Sequence, residues 1–422
     1  MLRNYLLTAW KVFMRRKLFT LINLLCIVLT LVVLMVAVSL LETAFRPSGV
    51  EGRSERFLEV RMVRMDSPKH DRISTSGLGY KLIDKYLKPM PGIERVAMVG
   101  SNQPVSVYQG DVVSELQMRR VDADYWKVLD FRLLAGRLPT LEDDAAGRHI
   151  AILNASTAAR LFPGSAQVAI GQRFDVGGQV YEVAGVVADA MHLNAYADIW
   201  APVSTFPSSD YRSQFTGPFA ALILAKSAAD LPRIRQQVQA ISKSVVHDDP
   251  ASWGHIYFWA DSKLDFTARQ LFGGGGQPSE NQTVADSGAA RLMAGIAAAI
   301  VLFMLLPALN LVNLNTGRIL ERRAEIGVRK AFGATSRQLA LQFVVENVLL
   351  CLCGGVLALG ATALALHWLE SARLIPYLEV GLNLAVFGWG MLIATVFGLV
   401  SGVLPAWKMS RLDPVHALKG GA

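Results

Sequence analysis

Four long apolar segments constrain the fold of this 422-residue chain more than any other feature. They extend over Leu18 to Leu41, Leu292 to Leu314, Val348 to Leu369 and Leu382 to Trp407, and none contains Asp, Glu, Lys or Arg. A helix of about 20 apolar residues crosses the roughly 30 Å of membrane hydrocarbon and pairs its backbone groups internally. The sequence therefore predicts four membrane-spanning helices.

Charged residues at the ends of these segments predict their orientation, because Lys and Arg are retained on the cytoplasmic side. The N-terminal flank, the loop after the second segment and the C-terminal tail together contain 14 basic and 3 acidic residues. The rest of the chain contains 28 basic and 31 acidic residues, so the net charge of +8 comes from these flanks. This distribution argues against nucleic-acid binding. It predicts that both termini are cytoplasmic and that residues 42–288 face outward.

The predicted organisation is an α-helical membrane protein with one span, a large external α+β domain and three further spans. In chain order, the predicted segments are a cytoplasmic amphipathic segment (1–17), span one (18–41), the external domain (42–288), span two (289–314), a cytoplasmic loop (315–338), span three (339–369), a short external loop (370–381), span four (382–407) and a cytoplasmic tail (408–422). The alternative for span one is a signal peptide cleaved near Ala37 to Ser39. Its uncharged, mostly apolar run of 24 residues exceeds the about 7 to 15 of a signal core, which favours an uncleaved anchor.

The external domain shows two β-α-β patterns separated by an insertion over about residues 110–215. The first pattern comprises a strand at Phe57 to Val63, a helix at Leu78 to Leu87 and a strand at Ile93 to Val99; the second comprises a strand at Phe219 to Leu224, a helix at Leu231 to Val246 and a strand at Ile256 to Trp259. Two such units can form one split β-α-β sheet.

The insertion predicts a second, mixed subdomain. Its expected elements are a strand at Leu116 to Val121, a helix at Asp122 to Leu129, a strand at His149 to Leu153, a helix at Asn154 to Phe162, and a hairpin of Arg173 to Val176 with Gln179 to Val187. Gly177 and Gly178 permit the positive φ of the hairpin turn.

The external domain shows no catalytic or metal-binding pattern. His192, His247 and His255 have neither ligand spacing nor a Cys partner, because all three cysteines lie in the apolar segments. Neither a G-x-S-x-G sequence nor a Walker A motif occurs in the chain. We therefore expect no enzyme activity, no metal and no cofactor bound by this chain.

The loop between spans two and three carries the most specific pattern. Helix-forming residues predominate from Arg318 to Phe332, and Gly333 is suited to end that helix. Thr335 and Gln338 form the T-x-x-Q pattern of a capping box that opens the next helix. A short charged helix at the membrane surface fits both a lever moved by a cytosolic partner and a solvated connector.

Small residues recur every four positions in span four, at Gly390, Ala394, Gly398 and Gly402. A shorter series in span three comprises Gly354, Ala358 and Thr362. Such stripes allow helix backbones to approach closely in membranes, so they predict packing surfaces. The alternative is that Gly and Ala are simply common in membrane helices.

The loop carries the sequence E-I-G-V-R-K-A-F-G-A-T from Glu325 to Thr335, span three carries Glu346, and a further distinctive sequence extends from Asn4 to Asn23. In these residues the chain resembles the MacB-like and FtsX-like permeases of ABC transporter systems. In the external domain the resemblance includes D-Y-W, L-L-A-G-R, I-A-I-L-N, L-F-P-G, I-G-Q-R-F and V-A-G-V-V.

This resemblance implies an external domain with Porter-like and Sabre-like parts and a coupling helix that docks on an ATPase. The residues implied to face that ATPase are Glu325, Gly327, Arg329, Lys330, Gly333 and Ala334. It further implies a bacterial inner-membrane location, a separate cytosolic ATPase that binds ATP and Mg, and a second permease chain, identical or homologous. A periplasmic adaptor and an outer-membrane duct are also expected. The resemblance also allows two functions other than export, namely FtsX-type regulation of a cell-wall hydrolase and release of lipoproteins.

Overall fold

The computed structural model describes residues 13–15, 17–45, 49–69, 71–109, 112–190, 192–272, 287–321, 328, 332, 335–372, 384–385, 387–392, 395–396 and 399. The chain forms two compact units. The membrane unit takes in Met1–Thr43 and Ala294–Ala422, and the external unit takes in Ala44–Met293.

The helices of the described residues, in chain order, are α1 (Lys17–Phe45), α2 (Tyr80–Leu82, continued by a π-helical turn over Ile83–Leu87), α3 (Tyr125–Val128), α4 (Leu141–Ala145), α5 (Ala155–Leu161), α6 (Ala166–Ala169), α7 (Leu231–Ser244), α8 (Lys263–Phe272), α9 (Ala289–Glu321) and α10 (Ser336–Ser371). The strands are β1 (Phe57–Val60), β2 (Val63–Asp66), β3 (Ile73–Ser76), β4 (Ile93–Gly100), β5 (Gln103–Gln109), β6 (Val112–Val121), β7 (Leu133–Gly136), β8 (Ile150–Asn154), β9 (Arg173–Val176), β10 (Gln179–Val187), β11 (Ile199–Pro202), β12 (Phe219–Ala225) and β13 (His255–Tyr257).

Helices α1 and α10 contain stretches long and apolar enough to cross a membrane, at Thr20–Thr43 and Val344–Ser371. They correspond to predicted spans one and three. Helix α9 covers predicted span two, with a shorter apolar stretch over Ala289–Phe303. Most of predicted span four lies outside the described residues, so the count of four spans stays a prediction.

The external unit contains one large sheet and one small sheet. The large sheet has the order β1-β12-β4-β6-β11-β8-β10-β9-β5, and β5 pairs again with β6. Strands β6, β11, β8, β10, β9 and β5 therefore close into a ring, whose interior holds buried apolar side chains such as Leu116, Phe174 and Tyr181. The small sheet has the order β13-β2-β3.

The first predicted β-α-β pattern has the split arrangement, since β1 and β4 are each antiparallel to β12, which lies between them. The single strand predicted from Phe57 to Val63 is wrong. The strand is interrupted at Arg61, which donates hydrogen bonds to Glu59 and Asn194, and the two halves enter different sheets. The strand predicted at Ile256 to Trp259 also joins the small sheet, so the two patterns do not form one common sheet.

Local signals in the insertion correctly predicted the hairpin, two strands and two helices that were expected there, although not every element of the insertion. The hairpin β9–β10 has the predicted bounds, and Gly177 and Gly178 have φ angles of 60° and 83°. Asn154 caps α5, because its side chain accepts a hydrogen bond of 2.7 Å from the N–H of Thr157. Strands β3, β5, β7 and β11 were not predicted.

Candidate functional site

The start of α10 is fixed by the capping box that the sequence predicts. Thr335 is in an extended conformation with φ −74° and ψ 147°. The N–H of Gln338 donates to Thr335 Oγ1 at 3.3 Å, and the N–H of Thr335 donates to Gln338 Oε1 at 3.0 Å. These reciprocal bonds satisfy two backbone donors that a helix start leaves unpaired. Helix α10 therefore begins at a defined residue next to the loop.

Two described loop residues present apolar side chains. The N–H of Phe332 donates to the carbonyl of Val328 at 3.0 Å, which is the i to i−4 bond of a helical turn. Phe332 is 88% exposed and Val328 is 45% exposed. Residues four apart lie on the same side of a helix, so these side chains form one exposed apolar pair.

The six residues implied to face an ATPase lie outside the described residues. They are Glu325, Gly327, Arg329, Lys330, Gly333 and Ala334. Their role in coupling stays a prediction, supported locally by the turn at Phe332 and the cap at Thr335.

Four polar side chains are buried in the membrane unit near the start of α10. Gln342, Glu346 and Asn347 belong to α10, and Asn23 belongs to α1. The side-chain amide of Gln342 donates a hydrogen bond of 3.1 Å to Glu346 Oε1. A carboxyl group inside a membrane helix is costly, so it usually marks a functional element. Sequence reasoning recorded Glu346 only as part of the family resemblance.

Helices α1 and α10 pack closely and run in the same direction. A Cβ atom added to Gly354 would lie 2.7 Å from Ile27 Cγ2. Eight residues further along both helices, Thr362 Oγ1 donates to Met35 Sδ at 3.8 Å. Because both contacts advance together, the two helices are parallel.

The predicted small-residue series are only partly described. Gly354, Ala358 and Thr362 of α10 are buried. Gly390 is buried, and a Cβ atom added there would lie 4.0 Å from Leu31 Cδ2. Ala394, Gly398 and Gly402 lie outside the described residues, so the packing surface of span four stays a prediction.

Two carboxyl groups of the external unit have raised pKa values. Burial raises the pKa of Asp144 to about 6, although the N–H of Ala123 donates to it at 2.9 Å. Burial also raises the pKa of Asp261 to about 6, against the opposing effect of Arg269. Among the described residues, no group of three or more His, Cys, Asp or Glu side chains is arranged to hold a metal ion.

Comparison with known protein families gives two matches that together cover most of the chain. The sequence profile of the MacB-like periplasmic core domain matches residues 20–241, which is more than half of the chain. The profile of the FtsX-like permease C-terminal region matches residues 297–414.

Relatives with known names include both short and long proteins. The chain is 25% identical over 348 residues to YknZ of Bacillus subtilis, an uncharacterized ABC transporter permease, covering 79% of the chain and 77% of YknZ. It is 26% identical over 301 residues to the macrolide export ATP-binding/permease protein MacB of Escherichia coli K12, covering 71% of the chain and 42% of MacB. It is 27% identical over 327 residues to the probable syringafactin export ATP-binding/permease protein SyfD of Pseudomonas syringae, covering 76% of the chain and 44% of SyfD. The chain thus spans less than half the length of these two export proteins.

Solved structures of external domains are also similar. The extracellular domain of YknZ matches 47% of this chain and 98% of its own, with a TM-score of 0.37 and 15% identity. The periplasmic region of MacB from Actinobacillus actinomycetemcomitans matches 56% of this chain and 98% of its own, with a TM-score of 0.37 and 14% identity.

Proposed function

Because the chain belongs to the family of MacB-like and FtsX-like permeases of ABC transporters, we propose that it is the membrane subunit of an inner-membrane exporter. ATP binding and hydrolysis on a cytosolic ATPase displace the loop before α10, and this displacement moves the external domain. The observation that carries the proposal is the capped start of α10, followed by its close parallel packing on α1. A capped and packed helix transmits displacement along its length without fraying at the loop end.

The ATPase is a separate chain in this proposal. YknZ, of which this chain covers 77%, is named a permease, whereas MacB and SyfD are named ATP-binding/permease proteins. The similarity to YknZ therefore supports an ATPase partner that binds ATP and Mg, with no cofactor held by the permease.

The contact with that ATPase combines an apolar centre and charged neighbours. Phe332 and Val328 supply the exposed apolar pair. Glu325, Arg329 and Lys330 supply charges within seven residues of Phe332 in the sequence. Aromatic anchors surrounded by polar residues are the usual composition of an energetically important contact.

The complete assembly contains further chains. A second permease chain, identical or homologous, lies in the same membrane, and a periplasmic adaptor with an outer-membrane duct receives the substrate. The names of MacB and SyfD, both export proteins, support export as the function, and the additional chains are part of the proposal. Both termini face the cytoplasm because the basic residues flank spans one and four on that side.

The coupling proposal is tested by measuring ATP hydrolysis by the partner ATPase with and without this chain in lipid nanodiscs. The variants Gly333→Pro, Glu325→Lys and Phe332→Ser should each lower the permease-dependent ATPase rate by about tenfold, because each disturbs a proposed contact worth about 1.4 kcal/mol. Leu341→Ser is the matched control, since Leu341 is also an exposed apolar residue, 50% exposed, but lies inside α10. Unchanged rates and unchanged assembly in all three variants would refute the proposed coupling contact.

Capture of external partners separates export from the two alternatives. An exporter should retain an adaptor on its external domain, an FtsX-type regulator should retain a cell-wall hydrolase, and a lipoprotein-release permease should retain lipid-modified cargo. Retention of a hydrolase without an adaptor would contradict export.

A further inference from the structure

A continuous network of buried polar groups crosses the external unit. It begins at Glu51, six residues after the end of α1, whose side chain is fully buried. The Glu51 carboxylate forms an ion pair with Lys263 of α8 and accepts a hydrogen bond of 3.2 Å from the N–H of Asn194. The network therefore connects the residues that follow α1 with the helix that precedes α9 in the chain.

Asn194 lies at the centre of this network. Its side-chain amide donates to Glu59 of β1, and its side-chain oxygen accepts a hydrogen bond from Arg61. Its backbone carbonyl accepts hydrogen bonds from Arg119 of β6 and, at 2.8 Å, from the hydroxyl of Tyr125. One residue of the segment between β10 and β11 thus binds strand β1, strand β6 and helix α3.

The network continues into the ring of strands. The indole N–H of Trp200, in β11, donates to the Tyr125 hydroxyl at 3.2 Å. Burial raises the pKa of Tyr125 to about 12. Its hydroxyl is protonated at neutral pH, as in any tyrosine, and donates to the backbone carbonyl of Asn194. Trp200 is fully buried and contacts Trp126 and Phe131 through their rings.

A second branch of the network holds the residues that precede α9 in the chain. Arg269 of α8 donates to Asp261 at 2.8 Å, and its guanidinium lies 4.7 Å from the centre of the Trp259 ring. Asp261 and Glu59 exchange two backbone hydrogen bonds of 2.8 and 2.9 Å, which attach this branch to β1. Asp265 accepts a hydrogen bond of 2.6 Å from Ser287, two residues before α9 begins.

We propose that this buried network is a rigid joint that passes displacement of the chain at Glu51 and Ser287 to the ring of strands at Trp200. The inference rests on the proposed function, because a displacement driven by nucleotide must first reach these two positions. Directional hydrogen bonds fix the relative positions of the groups that they join, and buried groups left without partners are costly. The joint therefore resists sliding of its strands and helices past one another, whereas apolar contacts alone allow side chains to repack.

The test compares one single and one double variant in the full-length chain assembled with its ATPase. Lys263→Met removes the ion-pair partner of the buried Glu51 carboxylate, and the melting temperature should fall by roughly 6–15 °C. Adding Glu51→Gln removes that charge, so Lys263→Met/Glu51→Gln should melt within about 3 °C of the parent protein. The double variant keeps side-chain volume but lacks the ion pair. The control Arg173→Met/Glu182→Gln removes an exposed ion pair of 3.2 Å on the ring hairpin.

The readout is an environment-sensitive fluorophore attached at Val180→Cys, an exposed position of the ring, with Cys26, Cys351 and Cys353 replaced by Ala. The emission is measured with and without a nonhydrolysable ATP analogue. The parent and the control should show the same nucleotide-dependent change. The double variant should lose most of it while keeping the ATPase rate and the melting temperature.

The outcomes separate this inference from the function on which it rests. A full fluorescence response in the stable double variant would overturn the joint and leave the exporter proposal intact. Absence of any nucleotide response in the parent protein would overturn both. Loss of the response in the control as well would show that any change of charge disturbs the ring, and this result would also overturn the joint.

Discussion

Adding one methyl group at Gly354 should weaken the packing of α10 on α1, whereas the same change at Gly360 should not. The new Cβ atom at position 354 would lie 2.7 Å from Ile27 Cγ2 and 3.2 Å from Ile27 Cβ. Ile27 is β-branched and has few rotamers, so relief requires a shift of the helix rather than of one side chain. At Gly360 no atom lies within 4 Å of the added Cβ atom.

The two substitutions share one favourable effect and differ in the unfavourable one. Replacing a helical glycine by alanine stabilises the helix by about 0.5–1 kcal/mol at both positions. Overpacking at Gly354 costs about 1–3 kcal/mol, which leaves this variant about 0–2.5 kcal/mol less stable than the parent. Gly360→Ala should instead gain up to about 1 kcal/mol, so the two variants should differ by about 1–3 kcal/mol.

Gly355→Ala supplies an intermediate case. Its added Cβ atom would lie 1.8 Å from Met391 Sδ, which is closer than the contact at Gly354. The methionine side chain has three rotatable bonds and can move aside, so the cost should be smaller than the distance suggests. The expected order of stability is Gly360→Ala, then Gly355→Ala, then Gly354→Ala.

Unfolding of the full-length protein in mixed micelles with increasing SDS, followed by circular dichroism, measures this order. The partner ATPase rate should fall with the stability of the α1–α10 contact. Equal midpoints for Gly354→Ala and Gly360→Ala would refute the reasoning, because the close approach of Ile27 would then have no energetic consequence.

Two further predictions concern the loop and the external domain. Thr335→Ala removes the side-chain acceptor of the capping box and should lower the stability of the start of α10 by about 1 kcal/mol, measured as faster amide hydrogen exchange in its first turn. Thr335→Ser keeps the acceptor and should retain the protection from exchange. Equal exchange rates in both variants would argue against the cap. Burial raises the pKa of Asp144 to about 6, above its ordinary 3.8, so its stabilising effect is complete below about pH 4 and is lost as the pH rises through 6. Asp144→Asn should therefore raise stability at pH 7.5 by about 1–2 kcal/mol after allowance for solvent screening, with a gain that shrinks towards pH 4, and a gain independent of pH would contradict this assignment.

Sequence reasoning succeeded where the signal was local. The hairpin around Gly177 and Gly178 needs positive φ angles, and the caps at Asn154 and Thr335 need one acceptor side chain at one position. The long apolar helices α1 and α10 follow from composition over about 20 residues. In each case the residues that define the element also stabilise it.

The unpredicted strands depend on distant partners. Strand β11 is buried along its whole length and lies between β6 and β8, so it lacks the alternation that marks a half-buried strand. Strand β5 contains Pro104, a residue that usually argues against a strand interior. It nevertheless closes the ring by pairing with both β6 and β9.

The buried network was not predicted for a related reason. Glu51, Asn194 and Lys263 are far apart in sequence, and charged or polar residues in isolation usually indicate a solvated surface. Only the fold reveals that one asparagine links them. The coupling residues around Glu325 show the opposite case, since their pattern is local and specific while their structural role stays a prediction.

The polar character of the network explains why it is suited to transmit movement rather than only to stabilise. The buried apolar residues of the external unit form three separate clusters, one of which fills the ring. Apolar contacts between such clusters tolerate repacking at similar energy, so they do not fix the position of one cluster relative to another. The hydrogen bonds of Asn194 do fix it, because each requires a particular donor and acceptor at a particular distance. Replacement of a buried ion pair by neutral groups often leaves stability unchanged, so stability alone does not require Glu51 and Lys263 to be charged. The neutral double variant thus separates the two roles: it keeps the energy of the fold and removes the ion pair that joins α8 to the network, while the hydrogen bonds of Asn194 to Glu59, Arg61 and Tyr125 remain.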